Sequence, residues 1–495
     1  MTSRTVVVGL CGAVLPVLDA LFEHGSMPFL SEWRTSGVSA RLRYSTPISS
    51  VAAWTTLITG RNPAQHGIFN IFRKQSAQGH QLRALTSRDI ACDALWTRLD
   101  REGRRTTVID YPLTFPPPRI DGHVLPGSWT TPRQLKLGCH PSDMFRRLSE
   151  LGVASAELFA IDWSQERDAT WVDGQIEREA QVFKALQFLM EHEPSDLTVV
   201  LVRAFGAVQS CYEQDPQTRG ACVEYFSALD KHLAGLARPG ANVLFVSEPH
   251  GQTATRAFFV NDWLAARGYL SWDGEPPRAP ESNVVDTDQL NRQSKRLDWA
   301  KTRAYAPLAG GGEIYLVRQD SQHPGGVPEA EYEGLRNQLI EELTRESSIN
   351  RVWKREDLYN GPQQELAPDL VIEAVEGVVM SPFAESAKPA LASGGEGGES
   401  EGVFIAGGPA FRSGATLSHI SLLDIAPLLL YSLDLSIPGE MEGRVPAEAL
   451  DPAWLENRPV QLGSKATERV PEARVLDPQA EDIILKRLQE LGYLE

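Results

Sequence analysis

Thiol, imidazole and hydroxyl groups near the ends of apolar runs are the side chains in this sequence equipped for chemistry. The five cysteines (Cys11, Cys92, Cys139, Cys211 and Cys222) are odd in number and widely spaced, with no CxxC pair. That pattern points to neither a disulfide framework nor a zinc ribbon, and a reducing, cytoplasmic setting is the simpler expectation. Cys139-His140 lies in a Gly/Pro loop without further ligands at metal spacing and reads as a solvated pair. Cys211 and Cys222 flank a helix start and read as packing residues; His419 precedes the apolar run 420–433 and reads as a cap. Cys11 directly follows the apolar run 5–10 (TVVVGL). A thiol at such a turn is either a nucleophile or a small buried hydrophobe.

The elements that must position these groups follow an alternating rhythm. Residues 5–10, 106–109, 197–202, 242–247 and 403–406 are short, near-continuous apolar runs, separated by amphipathic stretches such as 15–24, 94–102 and 225–236. Strands apolar on both faces are expected when helices cover both sides of a parallel sheet. The fold class expected is therefore α/β, a doubly wound, mostly parallel sheet. Residues 132–195 read as a helical cap insertion carrying one stripe of Ile176, Phe183, Leu186, Leu189 and Met190. The core is expected in two parts, 1–131 and 196–460, with a C-terminal tail and helix over 461–495. Within the second part, residues 298–380 mix strands with a helix bearing Leu335, Leu339, Ile340 and Leu343, and 392–402 form an acidic Gly-rich loop.

The chain has 495 residues, 42% hydrophobic and 23% charged, as in ordinary globular proteins. Its 48 basic and 65 acidic residues give a net charge of −17. Such a surface repels nucleic acid and anionic membranes unless a local basic patch overrides it. The apolar N-terminal run is interrupted by Pro16 and Asp19, and no other segment reaches the roughly 18 apolar residues that span a bilayer. A soluble protein acting on a small-molecule or carrier-bound substrate is expected. Its oligomeric state is not legible.

Several stretches together resemble the type I phosphodiesterase/nucleotide pyrophosphatase branch of the alkaline phosphatase superfamily. They are residues 6–13 (VVVGLCGA), 50–68 (SVAAWTTLITGRNPAQHGI), 95–117, 261–264 (NDWL), 424–427 (DIAP), 441–444 (MEGR) and 486–494 (KRLQELGYL). The resemblance covers essentially the whole chain and implies an alkaline-phosphatase-like core. It also implies a mechanism in which two zinc ions are held by strand-end carboxylates and histidines while a Thr or Ser at a helix N-terminus attacks phosphorus. Carried over by position, the nucleophile falls on Ser50, which also suits a helix N-cap. The family's first aspartate falls on Cys11, its Asp-x-x-x-His on Gly206 and Ser210, and its late histidine near Gly398. Its Ser-Asp-His-Gly falls on residues 247–251 (SEPHG), which keep His250, insert Pro249 and offset the acid to Glu248. On ligand count the resemblance implies that the two-zinc mechanism is lost.

Cys11, Ser50, Glu248 and His250 are then expected to converge at the C-terminal edge of the sheet, where open α/β sheets bind ligands. Trp54, Gly206, Ser210 and Gly398 would line the pocket. Three readings stand open. The first is a metal-independent hydrolase, acyltransferase or cyclase using Cys11 with His250, assisted by Glu248. The second is a single zinc on Cys11, His250 and Glu248, with Ser50 or water as fourth ligand. The third is a pseudoenzyme that keeps the fold as a binding or scaffold module.

Overall fold

The computed structural model describes residues 4–44, 49–74, 82–126, 135–153, 167–248, 256–276, 294–307, 312–321, 323–383 and 401–463. His250 and Gly398, most of the Gly-rich loop and the C-terminal tail helix lie outside the described residues.

The principal sheet has eight strands, in the spatial order Ala415–Ser421, Val38–Arg43, Gly402–Gly407, Ala241–Val246, Arg4–Leu10, Leu197–Val202, Thr106–Tyr111 and Gly122–Pro126. All five apolar runs picked out in the sequence are in it. Neighbouring strands run parallel except Gly402–Gly407, which is antiparallel to both of its neighbours. Its run was expected in a parallel sheet, but full burial makes a strand apolar whichever way it points.

Alternation along the central strands divides the interior into two layers. Val6, Val8 and Leu10 face one layer and share it with the helices Leu15–His24, Ala169–His192 and Arg219–Ala234. Val7 faces the other, built with the helices Ser50–Thr59, Leu95–Arg101 and Ile425–Ser432. The stripe read as part of a cap sits largely in the first layer: Val182, Phe183, Leu186 and Leu189 are fully buried against strand residues. The helix Ala169–His192 is thus a structural layer of the core, and it carries polar side chains to the sheet edge described below.

Residues 298–380 form an antiparallel sheet of four strands, ordered Ala304–Tyr305, Glu313–Leu316, Leu370–Ala374 and Ile349–Lys354. The helix Tyr332–Thr344 packs on it through Leu335, Leu339 and Leu343, in a hydrophobic cluster of its own. All five cysteines are free thiols. Among the described residues no helix is long and apolar enough to cross a membrane.

Gly9 decides how closely the Ser50 helix lies on the sheet. A Cβ there would come 2.2 Å from Leu201 Cδ2 and 2.6 Å from Trp54 Cη2. Glycine therefore lets the Trp54 indole lie directly on the central strand. Trp54 is only 3% exposed, with its ring edge-on to Tyr111 and its carbonyl accepting from the Tyr111 hydroxyl at 2.7 Å. It forms a floor beneath Ser50 and does not line an open pocket.

Candidate active site

Four adjacent strands deliver polar residues to one edge of the sheet. In spatial order these are Glu248 beyond Ala241–Val246, Cys11 beyond Arg4–Leu10, Arg203 beyond Leu197–Val202, and Asp110 near the end of Thr106–Tyr111. Ser50 begins the helix that faces this edge.

Ser50 is not the helix cap. That position is held by Ser49, whose Oγ accepts from the Ala52 N–H at 3.3 Å and donates to the Phe69 carbonyl at 2.6 Å. Freed from capping, the Ser50 hydroxyl donates to Glu248 Oε1 at 2.9 Å. The inserted Pro249 therefore does not turn Glu248 away from the site. Glu248 is 7% exposed, and its second oxygen, Oε2, is buried without a hydrogen-bond partner among the described residues. Burial raises its pKa from 4.5 to about 7, an effect only partly offset by the Ser50 hydroxyl, the Trp54 indole and the Gly12 amide.

The backbone of Cys11 is pinned from both sides, its N–H donating to the Val202 carbonyl at 3.1 Å and its carbonyl accepting from Gly206 at 2.9 Å. Burial pushes the thiol well above its ordinary range, Glu248 pushes it further, and Arg203 opposes them without prevailing. A reactive thiolate needs the reverse environment. The surroundings described for Cys11 favour the neutral thiol over the thiolate that a cysteine nucleophile needs. The expected base, His250, lies outside the described residues.

Gly206 and Ser210 belong to the first turns of the helix Phe205–Gln214, and the Ser210 hydroxyl donates to the Gly206 carbonyl at 3.0 Å. One has no side-chain donor, and the other commits its proton to its own helix. Among the described residues no group of three or more His, Cys, Asp or Glu is placed to hold a metal ion. Of the positions the resemblance implies as ligands, Gly206 offers no side-chain donor, and His250 and Gly398 lie outside the described residues.

Cationic charge reaches this edge by another route that the sequence reading missed. Asp110, 1% exposed, has a left-handed φ of 56° at an irregularity in the pairing between Thr106–Tyr111 and Gly122–Pro126. Strain of this kind in a non-glycine residue persists where surrounding contacts enforce it. Here Arg178 Nη2 bonds Asp110 Oδ2 at 2.7 Å, and Arg203 Nη1 lies 3.8 Å from Oδ1. Beside Arg178, Glu179 is buried with Oε1 unpartnered, and burial lifts its pKa to about 7 against the pull of Arg178. Two signals pointed to this cluster. Arg203 is the first residue past an apolar run, and Glu179 is a carboxylate on the apolar stripe of its helix.

Three comparisons place this geometry among known proteins. The family model described as type I phosphodiesterase / nucleotide pyrophosphatase matches residues 5–394. No curated protein matches significantly. Solved structures with the same fold include human ectonucleotide pyrophosphatase/phosphodiesterase 5, at 14% identity and a TM-score of 0.53, covering 91% of this chain and 100% of that one. The murine counterpart, as an inactive variant in complex with AMP, matches at 14% identity and a TM-score of 0.54, covering 88% and 96%. Phosphonoacetate hydrolase from Sinorhizobium meliloti 1021, in complex with phosphonoacetate, matches at 14% identity and a TM-score of 0.56, covering 87% and 95%.

Proposed function

The chain belongs to the type I phosphodiesterase / nucleotide pyrophosphatase family, and on that premise we propose that it cleaves a small anionic ester without the family's metal pair, with Ser50 as nucleophile and Glu248 as general base. The observation that carries this reading is the 2.9 Å hydrogen bond from the Ser50 hydroxyl to the buried Glu248 carboxyl, whose second oxygen has no close hydrogen-bond partner among the described residues. A buried unpaired polar atom costs stability, and such groups are characteristic of sites selected for chemistry.

In the proposed reaction the Ser50 hydroxyl attacks the ester's phosphorus or carbonyl carbon while its proton passes to Glu248. Glu248 passes that proton to the alkoxide leaving group as its bond breaks, and a covalent ester on Ser50 remains. Water then attacks that ester while giving a proton to Glu248, the bond to Ser50 Oγ breaks, and Glu248 returns the proton to Oγ. An acceptor other than water would make the same site a transferase. Arg203 lies near enough to Cys11 and Glu248 for their charges to act on it, and it supplies positive charge where the acyl or phosphoryl oxygens would sit. A phosphorus oxyanion is the favoured substrate class, because the guanidiniums suit it and because fold neighbours are described with AMP and phosphonoacetate bound.

The test is hydrolysis of bis-p-nitrophenyl phosphate, p-nitrophenyl phenylphosphonate and p-nitrophenyl acetate by the purified full chain. Ser50→Ala and Glu248→Gln are expected to lower turnover by about 10²–10⁴-fold. Cys11→Ala and chelator treatment should leave it within a factor of a few. Turnover abolished by chelator, or two zinc equivalents in the protein, would overturn the proposal in favour of metal catalysis. No turnover of any substrate would favour the pseudoenzyme.

A further inference from the structure

The opposite edge of the principal sheet, where the strands Arg4–Leu10, Leu197–Val202 and Ala241–Val246 begin, borders a second cavity of about 520 Å³. Six-residue strands separate it from the Ser50 site by roughly 20 Å. Its lining contains three arginines, Arg4, Arg238 and Arg458, and no aspartate or glutamate. In a chain with 65 acidic and 48 basic residues, that local excess of positive charge runs against the composition.

Two of the three guanidiniums have fixed neighbours, and the acidic partner of Arg238 lies outside the lining. Arg238 donates to the Met190 carbonyl at 3.1 Å and lies 3.5 Å from Glu191, a largely exposed carboxylate. Arg458 stacks over the Trp454 ring at 4.0 Å. Trp454 lines the cavity beside these cationic groups, and Met190 and Pro409 add apolar wall. Guanidinium forks match the oxygens of phosphate and phosphonate, and stacking on an indole keeps one such fork oriented.

We infer that this cavity is a second binding site, for a small organic oxyanion whose phosphate- or phosphonate-type head meets Arg4, Arg238 and Arg458 and whose apolar body lies against Trp454. The site is separate from the Ser50 edge, and the inference does not depend on the reaction proposed there.

Calorimetric titration of the full chain with phenylphosphonate, a non-hydrolysable probe, tests it, with tryptophan fluorescence read in parallel. Binding is expected to weaken at least tenfold in Arg238→Ala/Arg458→Ala and in the surface charge reversal Arg4→Glu, which leaves the core intact. Binding should also be weakened by added salt and persist in Ser50→Ala/Arg203→Ala. The fluorescence change should disappear in Trp454→Phe. Benzyl alcohol, which lacks the anionic head, should not bind. Undiminished binding in both arginine variants, loss of binding in Ser50→Ala/Arg203→Ala, or no binding at millimolar probe would each overturn the assignment.

Discussion

Glu248 ionises only at the expense of the folded state, and its proposed role requires it to ionise. Its folded pKa of about 7 stands above the 4.5 of an ordinary glutamate, so the native chain holds the proton more tightly than the unfolded chain. The associated stability is fully present below pH 4.5 and is lost as pH rises through about 7, by an upper bound of ~3 kcal/mol. Glu248→Gln removes that titration. It is expected to raise the melting temperature relative to wild type more at pH 8 than at pH 5, while abolishing turnover. In the wild type, turnover should increase with pH and level off above about 7, as a general base demands. A flat profile between pH 5 and 9 would count against Glu248 as base. Cys11 makes the complementary case: iodoacetamide should label it at pH 8 more slowly than a free model thiol, since burial and Glu248 both disfavour the thiolate. Cys11, Ser50 and Glu248, which the structure brings to one sheet edge, were legible together because the resemblance numbered them, while His250 lies outside the described residues. Their division of labour was not, since a sequence does not say which of two adjacent serines caps a helix or which way an acid turns after an inserted proline.

Close packing of the Ser50 helix on the sheet places the nucleophile, and Gly9 permits it. Gly9→Ala would force its new methyl into Leu201 and Trp54. The expected cost is about 1–3 kcal/mol from overpacking, seen as a lower denaturation midpoint, with impaired turnover because Trp54 underlies Ser50. The Thr106–Tyr111 strand and the Ala169–His192 helix are tied by Asp110 and Arg178. Asp110→Ala removes the carboxylate that Arg178 bonds at 2.7 Å and keeps a backbone conformation that alanine disfavours, for a loss of about 1–3 kcal/mol. Asp110→Asn tolerates that conformation and retains an acceptor, so its melting temperature should fall less. Equal losses in the two variants would assign the effect to the lost charge alone and not to backbone strain or the retained acceptor. Long apolar runs announced the five buried strands and the helix Leu15–His24. The strand Val38–Arg43, between Ala415–Ser421 and Gly402–Gly407, was missed for a physical reason: it carries Arg41 and Arg43, which face solvent and pair with Glu401. The Asp110–Arg178 tie joins residues 68 apart in the chain, and no local pattern encodes it.

Three buried carboxyls, Glu179, Glu248 and Glu313, each have a pKa raised to about 7, in every case chiefly by burial. Their effects share one sign. Buried His66 and His123, with pKa values lowered to about 3 and about 4, oppose them only up to about pH 6.5, so urea midpoints at pH 8 are expected below those at pH 6.5. A protein built around an obligatory zinc pair would instead be destabilised by chelator. Here the melting temperature should be unchanged by it. The overall fold was the most legible level, because it depends on many weak signals spread along the chain. Local chemistry depends on a few side chains whose neighbours are set by the three-dimensional path.

The reversed strand Gly402–Gly407 carries one further consequence. A strand running against its neighbours begins where they finish, so the polypeptide entering at Gly402 arrives beside Ser247, on the working rim and not on its far side. A change in chain path at Glu401–Gly402 would accordingly be felt at Ser247 and its neighbour Glu248, whereas the same change at the Gly407 end would fall on the opposite rim.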